Sequence, residues 1–166
     1  MAFRLRKQRG EHWRVFALVV FALVLLDASL NAQAALSVRG RRDLIFGTVI
    51  RGIPTLVAPL ERSAGRWEIR GESNAEVRVD LTLPLAMTNG TGSELPLAFG
   101  SNDGAFGLHP QGAGSQAFDP QLPLITTFNH RGKIYVFLGG TALPTAVQLA
   151  GPYAATISLT VSYTGN

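Results

Sequence analysis

A chain of 166 residues carries 15 Lys+Arg against 11 Asp+Glu, for a formal net charge of +4, and contains no cysteine. Disulfides, thiol catalysis, cysteine metal sites and lipid attachment through cysteine are thereby excluded. Five of the cations and two of the acidic groups lie in the first 34 residues, which leaves 10 against 9 beyond them. The bulk charge therefore gives no reason to expect nucleic acid as a partner.

That first stretch has the three parts of a secretory leader. Arg4, Arg6, Lys7, Arg9 and Arg14 form a basic start. An apolar run over 15–26 follows, closed by Asp27, and a more polar stretch ends in Ala32-Gln33-Ala34. Small residues at the first and third positions of that triplet suit a signal peptidase, which places cleavage after Ala34. The apolar run is too short for a bilayer core, which needs about 20 residues. The expectation is an exported protein of periplasm, cell surface or extracellular fibre, with no stable membrane span after cleavage. Residues 35–166 then form a single domain.

Beyond the leader the apolar residues alternate with polar ones, the period of a half-buried strand. Leu36 and Val38 alternate briefly before Arg39 intervenes. Strands are expected over 43–50, 66–70, 76–84, 95–99, 122–128, 133–138 and 153–163. Turns are expected at Arg51-Gly52-Ile53-Pro54, Gly71-Glu72-Ser73-Asn74, Asn89-Gly90 and Asn102-Asp103-Gly104. The span 100–120, rich in Gly, Ser, Gln and Pro, reads as a long surface loop with a short strand near Phe106. In the last strand Tyr153, Ala155, Ile157, Leu159, Val161 and Tyr163 share one face. In 76–84, Val77, Val79, Leu81 and Leu83 oppose Glu76, Arg78, Asp80 and Thr82. About seven short strands predict an all-β, immunoglobulin-like antiparallel sandwich, with a barrel as the alternative. The cations Arg39, Arg41, Arg42 and Arg51 read as solvated strand edges that discourage edge pairing, with a polyanion site as the alternative.

Several blocks taken together resemble the DUF4402 family of exported bacterial proteins, which is similar to fimbrial major subunits of the Mat, or common-pilus, kind. They are Asp43-Leu44-Ile45-Phe46-Gly47-Thr48-Val49, Arg66-Trp67-Glu68-Ile69-Arg70-Gly71 before a strand ending in Leu83-Pro84, a turn at Gly139-Gly140-Thr141, and Gly151-Pro152-Tyr153 leading into residues 157–163. The resemblance implies an immunoglobulin-like fold and a role as a pilus or adhesive fibre subunit. Such subunits assemble by strand donation, with copies of the protein, related subunits and a periplasmic chaperone as partners. On that likeness Leu36 and Val38 are the candidate donor strand. Gly151, Tyr153, Ile157, Leu159, Val161 and Tyr163 form the candidate assembly strand. Tyr163 departs from the family pattern in not being penultimate, and only eight residues separate Ala34 from Asp43. Three explanations stay open for the short segment: earlier cleavage, a fibre cap, or a sandwich that closes on its own first strand. The last gives the alternative function, a self-complete periplasmic or surface domain binding protein or glycan through the 100–120 loop.

Catalytic chemistry is not expected. His109 and His130 have no partnered spacing, no Gly-x-Ser-x-Gly elbow occurs, and Asp103 and Asp119 lack calcium-loop spacing. Asn89-Gly90-Thr91 reads as a hairpin turn, not a glycan acceptor. Trp67 and the scattered phenylalanines read as core anchors. No enzyme activity, cofactor or metal is predicted.

Overall fold

The computed structural model describes residues 34–165, so the expected leader, apart from Ala34, lies outside the described residues. Twelve strands occur there, every pairing between them antiparallel, and no helix is found among the described residues. The all-β antiparallel sandwich stands, with more and shorter strands than the alternation reveals.

The first sheet runs in the order β1 (Ser37–Arg42), β3 (Gly65–Arg70), β10 (Lys133–Leu138), β7 (Gly104–Gly107), β8 (Gln116–Phe118). The second runs β12 (Ser158–Tyr163), β4 (Glu76–Thr82), β9 (Leu124–Thr127). Ile69, Ile134 and Val136 from the first sheet join Val77, Val79 and Leu124 from the second, with Phe128, in one buried cluster. Trp67, Phe106, Phe118, Leu159, Val161 and Tyr163 pack around it. Each fully buried Ile or Val contributes about 1.5–3 kcal/mol over leaving it in water, and β-branched side chains fit the pleat. The expected facing holds over Glu76–Thr82 and Ser158–Tyr163, but the last strand, expected over 153–163, begins only at Ser158, and Ala155 is exposed. Val77 and Val79 are buried while Arg78 and Thr82 are exposed, and Leu159, Val161 and Tyr163 face inward while Ser158, Thr160 and Ser162 face water.

A third sheet, ordered β2 (Thr55–Val57), β11 (Gly140–Ala142), β6 (Glu94–Ala98), β5 (Ala86–Thr88), is reached by two strands that continue from the others. β4 leads into β5 across Leu83-Pro84-Leu85, where proline has no N–H to give a ladder. β10 leads into β11 across the single residue Gly139. The expected turn at Gly139-Gly140-Thr141 is thus a passage between sheets. Its glycine is required because a Cβ there would meet the Val57 carbonyl oxygen at 2.2 Å.

Two further expectations change. Residues 43–50 make no ladder: Gly47 takes φ 68° and interrupts the extended backbone, and the inward residues are Leu44, Phe46 and then Val49. The 100–120 span is not a loop with one strand but a hairpin, in which Gly104 pairs with Phe118 and Phe106 with Gln116. Its two phenylalanine rings meet edge to face at 6.1 Å. The expected turn at Asn89-Gly90 joins β5 to β6, with the Asn89 Oδ1 accepting the Thr91 and Ser93 N–H groups at 3.0 and 2.8 Å.

Val79→Asp would bury an unpaired carboxylate and is expected to cost several kcal/mol, enough to unfold the domain in a urea titration. Ser162→Asp, whose position pairs with Arg78 on the outer face, should leave the midpoint nearly unchanged.

Candidate functional site

Three features stand apart from the core: the seam where β1 joins the domain, a groove over the third sheet, and the outer face of the five-stranded sheet.

The candidate donor residues lie at the seam. β1 is an edge strand paired with β3 along its length, and Val38 sits opposite the buried Ile69. That register turns Leu36 and Val38 toward the core. Leu36 packs on the central cluster, whereas Val38 keeps 40% of its surface in water. The C-terminal strand closes the seam. The Tyr163 hydroxyl accepts the Glu72 N–H at 2.7 Å and donates to the Ala34 carbonyl at 2.6 Å. Of the candidate assembly strand, Leu159, Val161 and Tyr163 lie in β12, and Ile157 stands half-buried just before it.

Gly151 and Tyr153 are brought elsewhere, to an open groove of about 610 Å³. One wall is the unladdered stretch with Leu44, Phe46 and Val49, and the floor includes Met87 of β5 and Leu95 of β6. Gln148, only 6% exposed, anchors the opposite wall. It donates to the Glu94 carbonyl at 2.9 Å and to the Tyr153 hydroxyl at 2.8 Å. The Tyr153 hydroxyl in turn donates to the Leu149 carbonyl at 2.9 Å. All these groups satisfy one another. The candidate assembly residues therefore divide between groove and seam, and Ala154 fastens the groove part to Thr88 of β5.

Of the third feature the sequence shows only the cluster Arg39, Arg41 and Arg42, because the rest depends on register. Arg66, Glu68 and Arg70 alternate onto the outer face of β3, opposite Phe137, Tyr135 and Lys133 of β10. From β1, Arg39 lies opposite Glu68, and a bulge between Gly40 and Arg42 lets Arg41 and Arg42 both reach the same face. Arg41 Nε donates to Glu68 at 2.8 Å, and Arg70 grips the other carboxylate oxygen. Arg42 donates to the carbonyls of Ala64 and Glu61 at 2.7 and 2.8 Å. Of the expected edge cations, Arg39, Arg41 and Arg42 lie on the edge strand β1, with Arg42 half-buried, while Arg51 lies in a separate turn.

Glu68 is 5% exposed. Burial pushes its carboxyl up, but the hydrogen bonds and charges of Arg41 and Arg70 outweigh that and hold it below the usual value.

The remaining polar candidates do structural work. Asp103 accepts the Gly100 N–H at 2.7 Å and Asp119 the Gln121 N–H at 2.9 Å, both within turns. His109 and His130 are exposed. Among the described residues no three His, Asp or Glu side chains gather as a metal would need. No family model matches the chain, and no curated protein matches it.

Because Glu68 is depressed in the folded state, its stabilisation is complete above its ordinary value of 4.5 and is lost as pH falls below that. Glu68→Gln should therefore lower stability at pH 7 by about 2 kcal/mol, with the gap to wild type closing in acid. Urea midpoints measured between pH 7 and pH 3 test this, and a gap that stays constant would contradict it.

Proposed function

We propose that this domain is a non-enzymatic structural or adhesive subunit of an exported fibre, which joins copies of itself by exchange of the β1 strand. The observation that carries the reading is the nature of β1. It is an edge strand at the N-terminal end of the domain, bonded to β3 through the main chain, with Leu36 and Val38 as its inward side chains. A neighbour's β1 presents the same main-chain groups, the same two apolar side chains and the same Arg41 for Glu68, so the seat can be filled from either copy. The resemblance to fimbrial subunits supports the same reading, with a periplasmic chaperone as the partner that holds the unassembled form.

A second reading, a self-complete binding domain, is favoured by the ties that fasten β1 to its own chain, the Arg41–Glu68 ion pair and the Tyr163–Ala34 hydrogen bond. In that case the 104–118 hairpin and the groove are the surfaces available to a protein or glycan.

Leu36→Asp with Val38→Asp separates the two. Under strand exchange, wild-type protein at high concentration forms ladders that survive mild detergent on gels, and the double variant loses them. It still accepts β1 supplied as a synthetic peptide. If wild-type protein runs as a stable monomer at every concentration, the fibre reading fails and the self-complete domain stands.

A further inference from the structure

The outer face of the five-stranded sheet holds more like charge than edge protection requires. Six cations project there, Arg39, Arg41 and Arg42 from β1, Arg66 and Arg70 from β3, and Lys133 from β10, around the single carboxylate of Glu68. Guarding an edge explains the arginines of β1. It does not explain Lys133, which lies on an interior strand directly opposite Arg70. Nor does it explain Arg42 directly opposite Arg66. Like charges facing one another across a ladder are destabilising. Arg42, Arg66 and Arg70 are each held by carbonyl oxygens or by Glu68. Among the described residues, however, the Lys133 side chain has no such partner, so there the fold carries a charge it has no structural use for, a pattern that marks functional sites.

The accessible part of this face is specific in its composition. Arg66 is drawn beneath the 108–115 segment, donating to the Pro110 carbonyl at 2.6 Å. Arg39, Arg70 and Lys133 stay at the surface, and among the described residues Arg39 and Lys133 make no ion pair. Beside Lys133 on β10 stands Tyr135, opposite Gly107 on one side and, on the other, Glu68, which separates it from Arg39. An aromatic ring bordered by guanidinium and ammonium groups matches a sugar ring that carries anionic substituents: the pyranose lies on the ring, and the acid groups meet the cations bidentately or as point charges.

We infer that this face, centred on Arg39, Arg70, Lys133 and Tyr135, binds an acidic glycan, a sugar polymer bearing carboxylate or sulfate groups. A nucleic-acid strand is the less fitting polyanion, because successive bases need successive stacking platforms and this face offers one ring. The proposal is independent of whether β1 is exchanged, since an exchanged β1 brings its own Arg39 to the same place.

The test uses the purified protein with polygalacturonate as the carboxylated probe, dextran sulfate as the sulfated one, and neutral dextran and single-stranded DNA as comparisons. Binding to at least one acidic glycan is expected, weakening steeply with salt, with none to neutral dextran and less to the DNA. Which acidic polymer binds more tightly identifies the anionic group. Lys133→Glu should reduce binding at least tenfold while the thermal midpoint stays level or rises, because the variant converts a repulsive pair with Arg70 into an attractive one. Arg39→Gln and Tyr135→Leu should each weaken binding with little change in midpoint. Loss of binding together with loss of folding in Lys133→Glu would contradict the like-charge argument, and Arg39→Gln then decides the site alone. Failure of both acidic polymers to bind at low salt, equal binding by the unchanged and altered faces, or tighter binding of DNA than of either glycan would each overturn the proposal.

Discussion

The inner faces of β3 and β10 meet the inner face of β4 with no disulfide to hold them, and every other feature is arranged around that contact. Ile69, Ile134, Val77, Val79 and Val136 are shut off from water almost completely. Packing of this kind is intolerant of a change in volume or polarity, which leaves the edges and outer faces as the places where the chain is free to vary. The seam, the groove and the charged face all lie outside this cluster. A rigid interior and adaptable periphery is what a domain needs if its partners are to engage it without loosening it.

The charged face illustrates how burial and charge compete. Glu68 sits where a carboxylate is costly, and two arginines keep it ionised. Removing the glutamate would strand a row of cations with nothing to offset them, whereas removing a cation such as Lys133 relieves the row. The asymmetry gives the face a direction: it is short of negative charge, and the shortage is most easily met from outside. Tyr153 and Gln148 show the opposite case at the groove, where both side chains have found acceptors within the chain.

What could be read in advance follows the length of the alternation. The strand over Lys133–Leu138 was legible to its ends, and the facing of Val77, Val79, Leu159 and Val161 was legible too, because six or more residues of one period leave a single way to bury them. Strands β2, β5, β8 and β11 are three residues each, too short for any periodicity to show. Residues 43–50 alternated convincingly at first, but one glycine in the left-handed region undid the ladder. Of the candidate site, Leu36 and Tyr163 were found by pattern and resemblance and do meet at one seam. Arg70, Lys133 and Tyr135 were not found, since only the pairing of distant strands sets them side by side.

The two strands that pass from one sheet to another have a mechanical meaning. β4 runs on into β5 and β10 into β11, so the third sheet shares continuous chain with both halves of the sandwich. A pull on any one layer is transmitted along covalent backbone to the others before a ladder can unzip. The layers should therefore yield together, in a single steep event, and not peel one by one. Loaded along its own chain, such a domain stays stiff until it fails.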